Sequence, residues 1–222
     1  MGDPEREAAG IGDEFRAGFE LVARIPKPAV TIFGSARVAP DTPLYLRAVE
    51  AGRLFAEAGF SVVTGGGPGV MEAANRGAQE AGGVSVGLNI ELPLEQHVNP
   101  YVDVTYTFHH FFTRKTMLVK AAEGFVLFPG GFGTLDELFE ALTLIQTGKV
   151  LHFPVVLLDR DYWSELVDWI RIELLADGMI SPEDIELLSV TDDPAEAVET
   201  VLDCYLHECA HVPVAAEKAD AE

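Results

Sequence analysis

Short apolar runs alternate along the chain with longer segments in which apolar residues recur at helical spacing. The runs predict strands over residues 29–33, 60–64, 84–88, 102–106, 124–128 and 154–158. The longer segments predict helices over residues 42–58, 70–81, 111–122, 134–147, 162–176 and 195–207. Fully apolar strands joined by helices are typical of a parallel sheet covered on both faces. The pattern therefore predicts a single α/β domain with a doubly wound, mostly parallel, Rossmann-like sheet.

The two ends of the chain do not follow this alternation. Residues 1–24 are rich in charged and small residues with weak periodicity, and the last residues are Ala, Glu, Lys and Asp. We interpret residues 1–24 as a flexible acidic segment, 25–208 as the folded domain and 209–222 as a tail.

The amino-acid composition excludes several classes of protein but does not identify a reaction. Among 222 residues, 48% are hydrophobic and 23% charged, and no apolar run approaches the ~20 residues of a membrane span. The acidic start lacks a secretory pattern and two cysteines are too few for a disulfide scaffold, so we expect a soluble cytoplasmic protein. A formal charge of −21 disfavours nucleic acids and anionic membranes as partners, but local amides and a few cations can still bind a small phosphate ligand.

Two glycine turns follow predicted strands and precede predicted helices. One is Gly65-Gly66-Gly67-Pro68-Gly69; the other is Pro129-Gly130-Gly131-Phe132-Gly133-Thr134, followed by Leu135-Asp136-Glu137. Such turns let backbone N–H groups converge beside the positive end of a helix, which favours an anion. Gly34-Ser35 ends a third strand, and the carboxyl ends of parallel strands collect ligands. Together these turns indicate a nucleotide-like substrate.

Each feature also has a purely structural interpretation. A single glycine turn connects a strand to a helix without binding anything, and Thr134-x-x-Glu137 fits a capping box worth about 1 kcal/mol. Two glycine turns with a first-turn carboxylate favour a ligand, with Glu137 as the acid beside it. Arg114 and Lys115 open a helix against its dipole, which indicates a ligand-facing or surface role rather than a stabilising one.

Cofactors and metals are not expected. The Gly65 turn lacks G-x-G-x-x-G spacing, the strand after it ends in Asn89 rather than an acid, and no Walker lysine is present. The spacing of Cys204, His207, Cys209 and His211 fits no zinc pattern. His109 and His110 have no carboxylate nearby in sequence, so we interpret them as packing or interface residues.

Taken together, Gly65 to Glu72, Arg114-Lys115 and Pro129 to Glu137 resemble the motifs of the Lonely Guy (LOG) family, long labelled "possible lysine decarboxylases". The resemblance covers about residues 29–201. It implies a Rossmann-like fold, a dimer or a hexamer of dimers, and hydrolysis of the N-glycosidic bond of AMP-like nucleoside 5′-monophosphates, including N6-modified, cytokinin-type ones. A pyridoxal decarboxylase would need a Schiff-base lysine, and Lys115, Lys120 and Lys149 lack the expected context.

The resemblance also assigns residues. The family's essential Arg and Glu fall on Arg114 and Glu137, and its phosphate loop falls on residues 130–134. The residues predicted to bind substrate or phosphate are Gly34, Ser35, Gly66, Gly67, Glu72, Lys115, Gly130, Gly131, Gly133 and Thr134. Glu72 stands where many plant members have Gly, and the separate aromatic cluster from Phe108 to Phe112 is bulky. Both departures from the family pattern bear on the preferred base.

Two alternatives remain at this stage. Non-catalytic molybdenum-cofactor carrier proteins resemble the same fold and glycine motifs, and a base-exchange transferase would release base only with an acceptor. Arg114 with Glu137 favours the hydrolase. The apolar stretch around Phe108, Phe111 and Phe112 is further predicted to lie at a homo-oligomer interface.

Overall fold

The computed structural model describes residues 3–93, 97–151 and 153–207. Its centre is one sheet of seven strands, ordered β4-β3-β2-β1-β5-β6-β7, in which every neighbouring pair is parallel. The strands are β1 (Ala29–Phe33), β2 (Ser61–Thr64), β3 (Ser85–Ile90), β4 (Val104–Phe108), β5 (Phe125–Leu127), β6 (Val155–Leu158) and β7 (Leu188–Thr191). The predicted fold class is therefore confirmed.

Helices cover both faces of the sheet. They are α1 (Pro4–Val22), α2 (Pro43–Glu57), α3 (Val70–Glu80), α4 (Phe111–Ala121), α5 (Phe132–Gln146), α6 (Arg160–Trp169), α7 (Pro182–Ile185) and α8 (Pro194–His207), with a π-helical segment, Ile170–Leu175, continuing α6. One core cluster packs α4, α5 and α6 against the sheet, and a second packs α2, α3 and α8 against the opposite face. No helix in the described ranges is long and apolar enough to cross a bilayer.

The order in which strands are added to the sheet reverses between β1 and β5. β1 pairs with β2 on one side and with β5 on the other, although three strands separate β1 from β5 in sequence. Loops that leave two such neighbouring strands diverge to opposite faces and leave a crevice between them. The loops after Phe33 and after Leu127 therefore border a natural ligand site.

The N-terminal segment differs from its prediction. Residues predicted to be flexible form α1, whose Asp3 side chain caps its start and whose Glu14 and Gly18 are buried. A Cβ on Gly18 would lie 2.8 Å from the Met117 side chain, so α1 packs closely on α4. The expectation failed because the fully buried positions of α1 are a carboxylate and a glycine, while its apolar residues Phe15, Leu21 and Val22 are only partly buried against the core. The predicted tail 209–222 lies outside the described residues.

Candidate active site

A cleft of about 920 Å³ opens at the carboxyl ends of the strands, where β1 and β5 diverge. Its lining includes eight of the residues predicted from sequence: Gly34, Ser35, Arg114, Gly130, Gly131, Gly133, Thr134 and Glu137. The four others, Gly66, Gly67, Glu72 and Lys115, do not line it. Residues that were not among the predicted catalytic or binding residues also border it, among them Gly65, Met71, Asn89 and Tyr162.

The loop after β5 presents unused backbone donors to the cleft. α5 begins at Phe132 with Gly131 as its N-cap, and the N–H groups of residues 130–133 donate to no acceptor among the described residues. The Thr134 N–H differs, since it donates to the Gly131 carbonyl at 3.0 Å. Four consecutive free amides at a helix N-terminus form a concave site for an anion.

Two neighbouring residues bind carbonyls of this loop. The Tyr162 hydroxyl donates to the Gly130 carbonyl at 2.6 Å, and the Ser35 N–H donates to the Pro129 carbonyl at 3.0 Å. Because each carbonyl shares a rigid peptide unit with the next N–H, fixing the carbonyl also fixes the direction of that amide. The amides of Gly130 and Gly131 are thus held in place before any ligand binds.

Glu137 lies one turn further along α5 and is not a helix cap. No side-chain cap bond is present at the start of α5, so the capping-box interpretation of Thr134 and Glu137 is wrong. Glu137 is 5% exposed, and its Oε2 atom has no hydrogen-bond partner in the described part of the chain. Burial raises the pKa of Glu137 to about 7, against the opposing effects of Arg114 and Lys115. A buried carboxyl that titrates near neutrality is suited to proton transfer.

Arg114 extends into the cleft from the first turn of α4. Its Nε atom donates to the Leu88 carbonyl at 2.7 Å, which fixes the guanidinium beside the end of β3. Burial lowers the pKa of Arg114, and the nearby Glu137 opposes this shift. Gly65 leaves the necessary room, because a Cβ there would lie 2.2 Å from an Arg114 Nη atom. The Gly65 turn therefore accommodates the arginine.

The rest of the Gly65 turn is packed into the protein. The Gly66 N–H donates to Thr64 Oγ1 at 2.9 Å, and Asn99 binds the carbonyls of Gly66 and Gly67. A buried network through Asn75 supports this turn from below. Gly66 and Gly67 do not line the cleft, and their carbonyls face this network, so their predicted binding of substrate stays a prediction.

Glu72 and Lys115 connect helices outside the cleft lining. Glu72 accepts a hydrogen bond from the Tyr45 hydroxyl at 2.9 Å and so joins α3 to α2. Lys115 lies 2.9 Å from Asp136 and 3.0 Å from Glu140, and so joins α4 to α5. Their predicted contact with substrate is not supported, since neither residue lines the cleft.

The segment that leads into α4 is bound by a residue distant in sequence. Glu14 of α1 accepts hydrogen bonds from the N–H groups of His109 and His110 and from the Thr113 hydroxyl. The His110 ring lies 3.0 Å from the same carboxylate. His109 in turn pairs with Glu91. Both histidines thus have carboxylate partners, which their sequence neighbourhood did not indicate.

Aromatic residues near the cleft divide between core and surface. Phe108 is fully buried in the core, so its predicted place at an interface is wrong. Phe111 and Phe112 are about half exposed, and Phe132, which borders the cleft, is 91% exposed.

No group of His, Cys, Asp and Glu in the described residues could hold a metal ion. Cys209 and His211, named with Cys204 and His207 in the sequence, lie outside those residues.

A protein-family model and several curated proteins are similar to this chain, and they point to the same family. The family model described as "Possible lysine decarboxylase" matches residues 71–201, which include Arg114 and Glu137. A probable cytokinin riboside 5′-monophosphate phosphoribohydrolase of Oryza sativa subsp. japonica is 31% identical over 157 residues, 69% of this chain and 63% of the rice protein. The cytokinin riboside 5′-monophosphate phosphoribohydrolase of Mycobacterium tuberculosis is 33% identical over 157 residues, 68% of this chain and 81% of that protein.

Among solved structures, the molybdenum-cofactor carrier protein of Chlamydomonas reinhardtii is similar. It has a TM-score of 0.59 and 25% identity, over 82% of this chain and 99% of that one. This similarity extends to almost the whole of the carrier protein.

Proposed function

The chain belongs to the LOG family, and from this premise we propose that it hydrolyses the N-glycosidic bond of AMP-like nucleoside 5′-monophosphates. The products are the free base and ribose 5-phosphate. Water supplies the oxygen that bonds to C1′ as the bond from C1′ to the base breaks, and the base leaves with a proton. The names of the relatives support a 5′-monophosphate substrate. N6-modified, cytokinin-type nucleotides are included in the proposal.

The observation that carries the proposal is the row of four free amides at residues 130–133 beside a buried, unpartnered Glu137. The 5′-phosphate binds the amides, since an anion at a helix N-terminus satisfies donors that the protein leaves free. The ribose then lies within reach of the next turn of α5, which carries Glu137. The free amides and Glu137 are separated by about one helical turn. This spacing fits a ribose 5-phosphate whose phosphate binds the amides and whose C1′ lies near Glu137.

The proposed chemistry assigns separate tasks to the two charged residues. Positive charge develops at C1′ as the bond breaks, and the Glu137 carboxylate stabilises it and accepts a proton from the attacking water. Arg114 is held beside the end of β3 by its bond to Leu88, which supports a role at the departing base. Neither task requires a metal or an organic cofactor.

We also propose that the active form is a homo-oligomer, a dimer or a hexamer of dimers. Phe111 and Phe132 line the cleft and expose large apolar surfaces, and Phe112, next to Phe111 in the chain, is also about half exposed. Exposed apolar patches of this kind usually contact a partner. A two-fold contact at the cleft mouth would bury both copies of these rings and let each chain border the other's site.

The direct test is a panel of nucleoside 5′-monophosphates with and without N6 substituents, alongside adenosine. Base and ribose 5-phosphate are separated by chromatography, with chelator added in parallel. We expect release from the monophosphates, little from adenosine, and no effect of chelator. Equal cleavage of adenosine and AMP would contradict the anion site. Binding without cleavage would indicate a carrier, and release only with an added acceptor base would indicate a transferase.

A further inference from the structure

Asn89, at the carboxyl end of β3, carries a side-chain hydrogen-bond donor that pairs with no acceptor in the described residues. The side chain is 4% exposed and lines the cleft. Its Oδ1 atom accepts from the Ile90 N–H at 2.9 Å. An amide nitrogen cannot accept from a backbone N–H, so this bond fixes which end of the carboxamide is oxygen. The Nδ2 group is thereby held as a donor in a known orientation.

This donor reaches the cleft. Asn89 Nδ2 donates to no acceptor in the described ranges. Only two side-chain polar atoms in those ranges are both fully buried and without a hydrogen bond, one in Glu137 and one in Glu140, and the Glu140 atom lies 3.0 Å from Lys115 Nζ. Because Asn89 Nδ2 is without a hydrogen bond but is not one of these two, it is not fully buried and is open to the cleft that Asn89 lines. Asn75 and Asn99 differ, since their amide nitrogens donate to Ser85 Oγ and the Gly67 carbonyl.

The strand order places Asn89 at the far end of the cleft from the phosphate site. β3 lies two strands from β1 and three strands from β5. Neighbouring strands are about 4.8 Å apart, so the end of β3 lies roughly 10–14 Å from the loops after β1 and β5. That separation fits a nucleotide whose phosphate binds residues 130–133 and whose base reaches β3. Arg114, bound to the adjacent Leu88 carbonyl, lies at the same end.

We infer that Asn89 Nδ2 donates a hydrogen bond to a ring nitrogen of the departing purine. The inference rests on the proposed function and names the residue that reads the base. Negative charge accumulates on the purine ring as the glycosidic bond breaks, so the hydrogen bond strengthens toward the transition state. Ring nitrogens are retained in N6-substituted adenines, so this contact is compatible with substituted and unsubstituted substrates.

The test compares AMP with its 1-deaza, 3-deaza and 7-deaza analogues, each lacking one ring acceptor. Full-length wild type, Asn89→Ala and Asn89→Asp are assayed, with Gln146→Ala as a control that removes an amide outside the cleft. Asn89→Asp keeps an acceptor for the Ile90 N–H but replaces the donor in the cleft with a carboxylate oxygen. Thermal unfolding of each variant checks that the fold is retained.

We expect Asn89→Ala to lower kcat/KM for AMP by about tenfold or more and Asn89→Asp to lower it further. For one analogue, the ratio of kcat/KM for AMP to that for the analogue should fall by about tenfold in Asn89→Ala. The intrinsic reactivity of the analogue cancels in this comparison. Activity of Asn89→Ala within twofold of wild type, or an unchanged ratio for all three analogues, would overturn the inference.

Failure of the proposed function would be visible separately. If wild type releases no base from AMP, that function is wrong, and calorimetric titration with the same four nucleotides tests Asn89 through binding alone. Weaker binding of one analogue to wild type, and no such difference for Asn89→Ala, would support the hydrogen bond. Equal discrimination by both proteins would refute it.

Discussion

Arg114 and Glu137 interact electrostatically at the cleft but do not form an ion pair among the described residues. Arg114 is fixed instead by the Leu88 carbonyl, and Glu137 keeps an oxygen without a partner. Both side chains line the same cleft, and neither neutralises the other through a direct salt bridge in the described residues. A closed ion pair would lower the pKa of the carboxyl.

Glu137→Gln should abolish base release while leaving the fold and phosphate binding intact. The amide preserves size but cannot stabilise positive charge at C1′ or accept a proton. We expect a loss of at least ~100-fold in kcat, measured by chromatography of released base. Calorimetry with ribose 5-phosphate should give an affinity close to that of wild type. Activity within a few-fold of wild type would remove Glu137 from the mechanism.

The pH dependence of kcat/KM should report the ionisation of Glu137. Its pKa is raised to about 7, and the ionised form is the active one. Activity should therefore rise with pH, by about tenfold per pH unit well below 7, and level off above it. The residual activity of Glu137→Gln should lack this limb and retain only the phosphate ionisation of the substrate. A wild-type limb near pH 4.5 would contradict the raised pKa.

Stability should depend on the same group with a defined sign. Because burial raises the pKa of Glu137 above its value in the unfolded chain, the folded state disfavours the ionised form. The resulting destabilisation is absent below the unfolded pKa and complete above about pH 7. Glu137→Gln should therefore gain thermal stability relative to wild type as pH rises from 5 to 8. A difference in Tm that stays constant over this range would count against the assignment.

Gly65→Ala should impair catalysis through Arg114. The added methyl would lie 2.2 Å from an Arg114 Nη atom and 2.7 Å from Met71 Sδ, so the guanidinium must move. We expect kcat/KM to fall by roughly tenfold or more, with a small change in Tm because the neighbours that must move are flexible side-chain ends. Gly12→Ala, where nothing lies within 4 Å, is the matched control and should retain full activity. Full activity in Gly65→Ala would show that the arginine position is not critical.

Oligomerisation should depend on the exposed aromatic residues at the cleft mouth. Phe132→Ser should shift the protein toward the monomer in light scattering and lower its activity, since Phe132 is 91% exposed. Ile172→Ser, which changes an exposed apolar residue of the π-helical segment outside the cleft lining, should leave the mass unchanged. A wild-type mass of 24.0 kDa at micromolar concentration with full activity would refute the oligomer.

Most of the sheet and its helices could be predicted because each apolar run is fully buried in β1 to β3, β5 and β6. The strand β7 escaped prediction because Leu188, Ser189 and Val190 are only half buried at the sheet edge and lack a fully apolar run. Helix α1 escaped it because its buried positions are Glu14 and Gly18, while Phe15, Leu21 and Val22 are only partly buried. Periodicity detects elements that fully bury large apolar side chains and misses those whose most buried positions are small or charged.

Parts of the site whose geometry is set by consecutive residues could be predicted from the sequence. Parts whose hydrogen bonds involve residues distant in sequence could not. The loop after β5 carries its glycines and its helix start in one stretch of sequence, so its anion-binding geometry could be foreseen. The Gly66 N–H donates to Thr64 Oγ1, and Asn89 Nδ2 has no acceptor in the described residues. Both facts depend on which acceptors the fold brings near each donor, which the local sequence does not show. The same applies to Tyr162, whose bond to Gly130 spans 32 positions.

The contact between Glu14 and the start of α4 has a practical consequence for protein production. An expression fragment starting at residue 25, where the apolar alternation begins, would remove the carboxylate that binds the N–H groups of His109 and His110. It would also uncover the α4 surface around Met117, three residues from Arg114, which lines the cleft. Purification tags and shortened variants are therefore better placed so that the first helix stays whole, and a truncated preparation without activity would say little about the catalytic residues.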